Sequence, residues 1–204
     1  MGGIGSGKSS CMKLLVSLQS FQGGNIYINE VPMTEIDVDN LRQTIIYIPQ
    51  HPKLFNRTLR ENLTYGLPPE ITAEHILKFM KENGFIELEE IFRKRMDEKV
   101  GKGGQNFSGG QKGTIWFLRA AMQKANVIIA DEPTSALDPQ SKIQIKKMID
   151  IIAKKKAVIV ITHDNDITVG MDRIITFDKG KILSDVKPGQ SKNNNNNNNN
   201  AYRY

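Results

Sequence analysis

The run Gly2-Gly3-Ile4-Gly5-Ser6-Gly7-Lys8-Ser9 fits the spacing G-x-x-x-x-G-K-[ST]. Glycines at those positions let successive backbone N–H groups turn inward around a polyphosphate. Lys8 adds a positive charge for its outer phosphates, and the Ser9 hydroxyl is a hard oxygen ligand for Mg²⁺. A second chemical pair, Asp131-Glu132, follows directly on the apolar residues 127–130. Asp131 stands where a Mg²⁺-directed carboxylate is wanted, and Glu132 where a carboxylate can activate water. Gln50 lies just past the apolar run Ile45–Ile48 and His163 just past Ala157–Ile161. Both are strand ends, where ligands bind in open α/β sheets. Taken singly, a Gly-rich turn, an acidic pair or a lone histidine is usually structural. Their occurrence beside a phosphate loop points instead to phosphoryl chemistry.

The elements that must position these groups are legible in outline. Behind the loop, Met12, Leu14, Leu15 and Leu18 recur at helical spacing, so the loop opens a helix whose N-terminus faces an anion. Gly23-Gly24 ends that pattern, and alternation of Ile26 and Ile28 with polar neighbours predicts a half-buried strand over 25–30. Residues 32–40 read as polar turn, and Ile45–Ile48, closed by Pro49, as a strand. Residues 58–99 hold few β-branched side chains and predict helices. One is capped by Thr72 and stapled by Ile71 and Ile76, with Ile76, Leu77 and Met80 as its apolar face and Asn83-Gly84 as its stop. A second covers 86–95. Another helix starts at Ser108-Gly109-Gly110-Gln111 and runs to about Lys124, with Trp116 read as packing rather than a ligand platform.

Residues 127–130 and Ala157–Ile161 are continuous apolar runs suited to strands buried on both faces. Between them Pro139 marks a helix start. Ile145, Met148, Ile149 and Ile152 form its buried stripe, with Lys142, Lys146 and Lys154 on solvated faces. Residues 173–177 and 182–186 predict a closing hairpin around Lys179-Gly180. Strands alternating with helices define an α/β class with a parallel sheet, carrying an all-helical insertion. From residue 187 the order runs out, and the eight asparagines of 193–200 predict a disordered tail without chemistry.

At 204 residues and 39% hydrophobic content, one medium domain with a subdomain is expected. No apolar run is long enough to cross a bilayer and no leader pattern opens the chain, so the expectation is a chain soluble by itself. A single cysteine, Cys11, excludes an internal disulfide and reads as a small buried hydrophobe. The net charge of +6 is spread rather than blocked, and no nucleic-acid partner is expected.

Ordered along the chain, these motifs resemble the ATP-binding domain of ABC transporters over residues 2–186. Beside the phosphate loop stand Ile48-Pro49-Gln50 as Q-loop and Phe107-Ser108-Gly109-Gly110-Gln111 as signature. Ile128-Ile129-Ala130-Asp131-Glu132-Pro133 matches Walker B, Ser135-Ala136-Leu137-Asp138 the D-loop and Ile161-Thr162-His163-Asp164 the H-loop. Residues 54–63, Leu-Phe-Asn-Arg-Thr-Leu-Arg-Glu-Asn-Leu, resemble the exporter branch.

The resemblance implies a P-loop NTPase of RecA-like fold. Residues 1–57 and 126–186 would form the core, about 58–125 the helical signature subdomain and 187–204 the tail. It implies a homo- or heterodimer paired head to tail. ATP on Gly2, Gly3, Ile4, Gly5, Ser6, Gly7, Lys8, Ser9 and Ser10 of one subunit would be covered by Ser108, Gly109, Gly110 and Gln111 of the other. Ser9, Gln50 and Asp131 would serve Mg²⁺, with Gln50 sensing the ion and the attacking water. Glu132 would be the general base, His163 would contact the γ-phosphate, and Asp138 would cross the dimer interface. It further implies a membrane-spanning partner, on another chain or a missing segment, and a peripheral place on the cytoplasmic membrane face.

Three departures carry expectations of their own. Only Met1 precedes the loop, where the family has a strand and an adenine-stacking aromatic, so a fragment or half of a split gene with weaker nucleotide affinity is expected. Gly113-Thr114 stand where the exporter pattern has Gln-Arg, which predicts a frayed signature helix. Lys102 stands where exporters commonly have Glu, in an element associated with coupling to the membrane domain. Two alternatives follow: a truncated, non-catalytic nucleotide-binding or interaction module, or a soluble ABC ATPase acting on ribosomes or DNA. The latter calls for a tandem domain or long coiled coil, and neither is present in the sequence.

Overall fold

The computed structural model describes residues 1–3 and 5–188, so the asparagine tail lies outside the described residues. The chain divides into two compact units, one of residues 9–161 and one of residues 1–8 with 162 onward.

Residues 9–161 contain nearly all of α1 (Lys8–Leu15), then β1 (Tyr27–Ile28) and β2 (Val31–Pro32). The half-buried strand expected over 25–30 is cut short. Asn29 and Glu30 both take positive φ, +48° and +69°, and make a two-residue turn that pairs Ile28 with Val31. The turn-rich reading of 32–40 also gives way. A 3₁₀ turn over Met33–Glu35 leads to α2 (Val38–Thr44), nucleated by the Asp37 carboxylate, which accepts from the Asp39 and Asn40 N–H groups at 3.0 Å each. β3 (Ile45–Ile48) follows as predicted.

Four helices then stand between β3 and the next strand: α3 (Leu59–Thr64), α4 (Ala73–Glu82), α5 (Ile86–Lys94) and α6 (Gly109–Met122). Thr58 and Glu61 form a reciprocal capping box on α3. On α4, Ile76, Leu77 and Met80 are wholly buried, and Gly84 ends the helix at φ +73°. A second box, Ser108 with Gln111, starts α6, which runs unbroken through Gly113. The fraying expected there does not occur, because Gly113 is buried against α7 (Pro139–Ala153), where its missing side chain makes room for Ile145.

β4 (Val127–Asp131) is the spine of the unit, hydrogen-bonded in parallel to β3 on one side and β5 (Ala157–Ile161) on the other. Ile128, Ile129 and Ala130 are fully buried, as a central strand requires. Ile129 joins Val16, Met33, Leu41, Ile45 and Ile161 in one apolar cluster. β5 departs from its reading as a buried strand. It is an edge of the three-stranded sheet, and Ile159 is 38% exposed. An apolar run alone cannot tell a central strand from an edge. Cys11 is half-buried, and that burial pushes its thiol pKa up.

The other unit holds the loop, α8 (Asn165–Thr168), β6 (Ile174–Asp178) and β7 (Lys181–Val186). β6 and β7 form the predicted antiparallel hairpin. Met1 lies along β6, its nitrogen donating to Ile175 O at 2.5 Å and its carbonyl accepting from Phe177 N–H at 2.8 Å.

Candidate functional site

The phosphate-loop sequence takes its shape from glycine and from β6. Gly2 has φ +136°, and a Cβ there would lie 2.2 Å from the Phe177 carbonyl oxygen, so only glycine fits. The Ser6 carbonyl accepts from Gly180 N–H at 3.0 Å. Lys8 is 9% exposed, and its ammonium curls over the loop, donating to Gly2 O at 2.7 Å, Gly3 O at 2.9 Å and Ser6 Oγ at 3.1 Å. A lysine so tethered is a positive charge held in the concavity it serves. Gly3 and Gly5 are exposed and Ser6 is buried. Ile4 lies outside the described residues. His163 is exposed, two residues past β5, and the Asp164 carboxylate beside it caps α8.

Within residues 9–161 the fold brings the Ser9 hydroxyl to the end of β4. Ser9 Oγ donates to Asp131 Oδ1 at 2.8 Å, across 122 positions of sequence. Asp131 is 4% exposed. Its second oxygen accepts from the Tyr47 hydroxyl at 2.5 Å. Burial first, then the hydrogen bond and charge of Asp131, push the Tyr47 phenol well above its usual pKa, so it stays a donor. Tyr47 is a partner of Asp131 that sequence reading missed. The available signal was a lone hydroxyl inside a β-branched run that had to neighbour β4.

Glu132 follows in a left-handed conformation, φ +45°, which non-glycine residues rarely adopt. Its N–H donates to Ile161 O at 2.8 Å, prolonging the β4–β5 ladder by one rung while the chain turns away. Strain of this kind, held by ladder and turn together, concentrates at functional sites. Gln50 is exposed, and its Nε2 reaches Ser135 Oγ at 3.5 Å. Ser10 is exposed in the first turn of α1.

The signature residues have two duties. Ser108 Oγ accepts from Gln111 N–H at 3.1 Å and Gln111 Oε1 accepts from Ser108 N–H at 3.0 Å, so both polar side chains cap α6. The N–H groups of Gly109 and Gly110 sit in its open first turn. Gly110 is also a contact with α7: a Cβ there would come within 2.2 Å of Ser141 Oγ. Asp138 caps α7 in turn, accepting from Ser141 N–H at 2.9 Å and Ser141 Oγ at 2.6 Å, and these bonds hold its carboxyl below the usual range.

No three His, Cys, Asp or Glu side chains converge as a metal cluster among the described residues. The Ser9–Asp131 oxygen pair fits a different mode. Mg²⁺ typically takes one or two protein oxygens and completes its shell with phosphates and water. A parallel sheet with a tethered-lysine phosphate loop and a carboxylate at the end of the central strand defines a P-loop nucleotide-binding domain.

The family model for ABC transporters matches residues 1–135. The chain belongs to the ABC transporter family. It is 34% identical over 183 residues to an ATP-dependent lipid A-core flippase of Acinetobacter baylyi, covering 90% of this chain and 32% of that one. It is 36% identical over 187 residues to ABC transporter B family member 26, chloroplastic, of Arabidopsis thaliana, covering 88% and 26%. Among solved structures, a bacterial Atm1-family ABC exporter with ATP bound superposes with a TM-score of 0.82 at 25% identity, over 91% of this chain and 33% of that one. The chain thus spans about a third or less of the length of these relatives.

Proposed function

We propose that this domain binds and hydrolyses ATP with Mg²⁺ as one half of a head-to-tail dimer, and that hydrolysis powers transport through a membrane-spanning partner. The observation that carries the reading is the Ser9 hydroxyl held 2.8 Å from the buried Asp131 carboxylate, one residue along the chain from the lysine tethered within the phosphate loop. The loop residues 2–10 cradle the phosphates through backbone N–H groups and the Lys8 charge. Ser9 and Asp131, with Gln50, would hold Mg²⁺, which when bound would neutralise charge on the β- and γ-phosphates. Glu132 takes a proton from water as its oxygen bonds to the γ-phosphorus and the bond from that phosphorus to the bridging oxygen breaks, leaving ADP and phosphate. His163 contacts the γ-phosphate. Ser108, Gly109, Gly110 and Gln111 of a second copy close over it, and Asp138 lies at that interface.

Residues 1–57 and 126–186 act as the nucleotide-binding core and about 58–125 as the signature subdomain. Loss of the γ-phosphate removes the group both halves grip, shifting the population toward the open pair. No described helix is long and apolar enough to cross a membrane. The membrane work falls to the partner, with this domain peripheral on the cytoplasmic face. Its similarity to an ATP-dependent flippase and to an exporter with ATP bound supports this reading.

The test is phosphate release by the purified chain at high concentration. The expected outcome is Mg²⁺-dependent turnover that Glu132→Gln lowers by two or more powers of ten, about the size of a general-base contribution, while nucleotide binding by calorimetry persists. Binding without turnover in the unmodified chain supports a non-catalytic nucleotide-binding module instead.

A further inference from the structure

The buried Asp131 carboxylate is met by neutral donors and by no cation. Ser9 Oγ donates to Oδ1 at 2.8 Å and the Tyr47 hydroxyl to Oδ2 at 2.5 Å. Among the described residues no lysine, arginine or histidine forms an ion pair with it. Its negative charge is therefore solvated by two hydroxyls but not cancelled.

The two donors differ in kind. The Ser9 oxygen keeps a lone pair for an ion while its proton bonds Asp131. Tyr47 comes from the neighbouring strand. In the β3–β4 ladder it stands opposite Ile129, and Asp131 lies two residues further on the same face of β4. That diagonal offset is within reach of an aromatic or long side chain and beyond that of serine or threonine. A tyrosine at this register position brings a hydroxyl to the carboxylate from half-buried ground.

A donor placed there acts on an ion in two ways. It draws off part of the carboxylate charge, and such hydrogen bonds tune the ion that a carboxylate holds. It also satisfies the buried charge when no ion is present, so an arriving ion relieves less than it would for an unsatisfied carboxylate. Orientation, the other service of such a partner, is supplied elsewhere. Ser9 holds Oδ1, Asp131 is laddered to Ile161, and the Glu132 N–H bonds Ile161 O at 2.8 Å. The charge effects therefore decide the sign.

We propose that Tyr47 is a positioning residue that, acting through Asp131, holds the metal-free site closed and lowers its affinity for Mg²⁺ with nucleotide. This rests on the reading that Ser9 and Asp131 serve Mg²⁺-ATP. Product release limits many enzymes, and a resident donor that receives the carboxylate charge as the ion departs serves the reset of the site.

The test is calorimetric titration of the hydrolysis-deficient Glu132→Gln chain with ATP, once in Mg²⁺ and once in EDTA. Adding Tyr47→Phe should tighten binding in Mg²⁺ about tenfold, equivalent to ~1.4 kcal/mol, and leave binding in EDTA unchanged. Tyr47→Leu removes the ring as well as the hydroxyl, so a Mg²⁺-specific gain shared by both variants belongs to the lost donor. In parallel, Mn²⁺ alone is titrated into the nucleotide-free chain and followed by its paramagnetic resonance. Tyr47→Phe should hold Mn²⁺ more tightly too. A chain that binds no ATP but gains Mn²⁺ affinity without the phenol refutes nucleotide binding and upholds the role of Tyr47. Equal shifts in Mg²⁺ and EDTA, weaker binding in Mg²⁺, or no change with either metal overturns the proposal and leaves Tyr47 as part of the strand alone.

Discussion

Both oxygens of the Asp131 carboxylate are engaged before any ion arrives, one by Ser9 and the other by Tyr47. Ser9 stands in the phosphate-loop motif, while Tyr47 does not. The phenol makes the closed arrangement tolerable, because a carboxylate that is 4% exposed needs donors on both sides. Tyr47→Phe should therefore lower the stability of the nucleotide-free protein by about 1–3 kcal/mol, the penalty for a buried acceptor that loses its donor. Saturating Mg²⁺-ATP should restore most of it, since the ion then takes up that charge. Urea unfolding with and without Mg²⁺-ATP checks this, and an equal loss in both conditions assigns Tyr47 to packing alone. Tyr47 was hidden in sequence because a tyrosine within a β-branched run reads as strand filler. Only the β3–β4 register shows which carboxylate its hydroxyl meets.

Capping and close approach govern the elements. On α3, the Thr58 N–H and hydroxyl both bond Glu61 Oε2 at 2.9 Å, holding that carboxyl below its ordinary pKa. A depressed folded pKa contributes stability that is fully present above the ordinary glutamate range. It is lost as pH falls through the lower, folded value. Glu61→Gln should therefore flatten the pH dependence of stability in that acidic window and leave it unchanged above pH 6, as followed by thermal melts across pH.

On α6, Gly110 and Gly113 should part company. A Cβ on Gly110 would sit 2.6 Å from Ser141 Cβ, so Gly110→Ala should destabilise by about 1–3 kcal/mol through overpacking. On Gly113 it would meet Ile145 Cδ1 at 3.3 Å, a side-chain tip that can yield. There the gain of about 1 kcal/mol in helix propensity offsets the squeeze, so Gly113→Ala should be near neutral. Urea midpoints distinguish the two, and equal losses overturn the distinction. The sequence showed Gly113 as a weak point in a helix. The α6–α7 crossing makes it a contact.

For the whole molecule, the proposed dimer sets the sharpest demand. On that proposal, two copies meet only if the tethered Lys8 charge of one and the open first turn of α6 in the other grip the same nucleotide. With the hydrolysis-deficient Glu132→Gln chain, Mg²⁺-ATP should shift the sedimentation coefficient from monomer to dimer. Lys8→Ala and Ser108→Arg, each added to it, should abolish the shift. Dimer formation that survives both changes removes the nucleotide from the interface.

The motifs, their order, the α/β class, the central strand and most helix starts follow from residue type and spacing alone, because phosphate loops, caps and apolar periodicity are local. Locality also explains what was not legible. β5 reads as buried and lies at an edge, and residues 25–30 read as one strand and turn back at Asn29-Glu30. Whether a side chain is covered, paired or left facing a cavity depends on residues tens of positions away. Tertiary packing alone brought Ser9 and Tyr47 to Asp131.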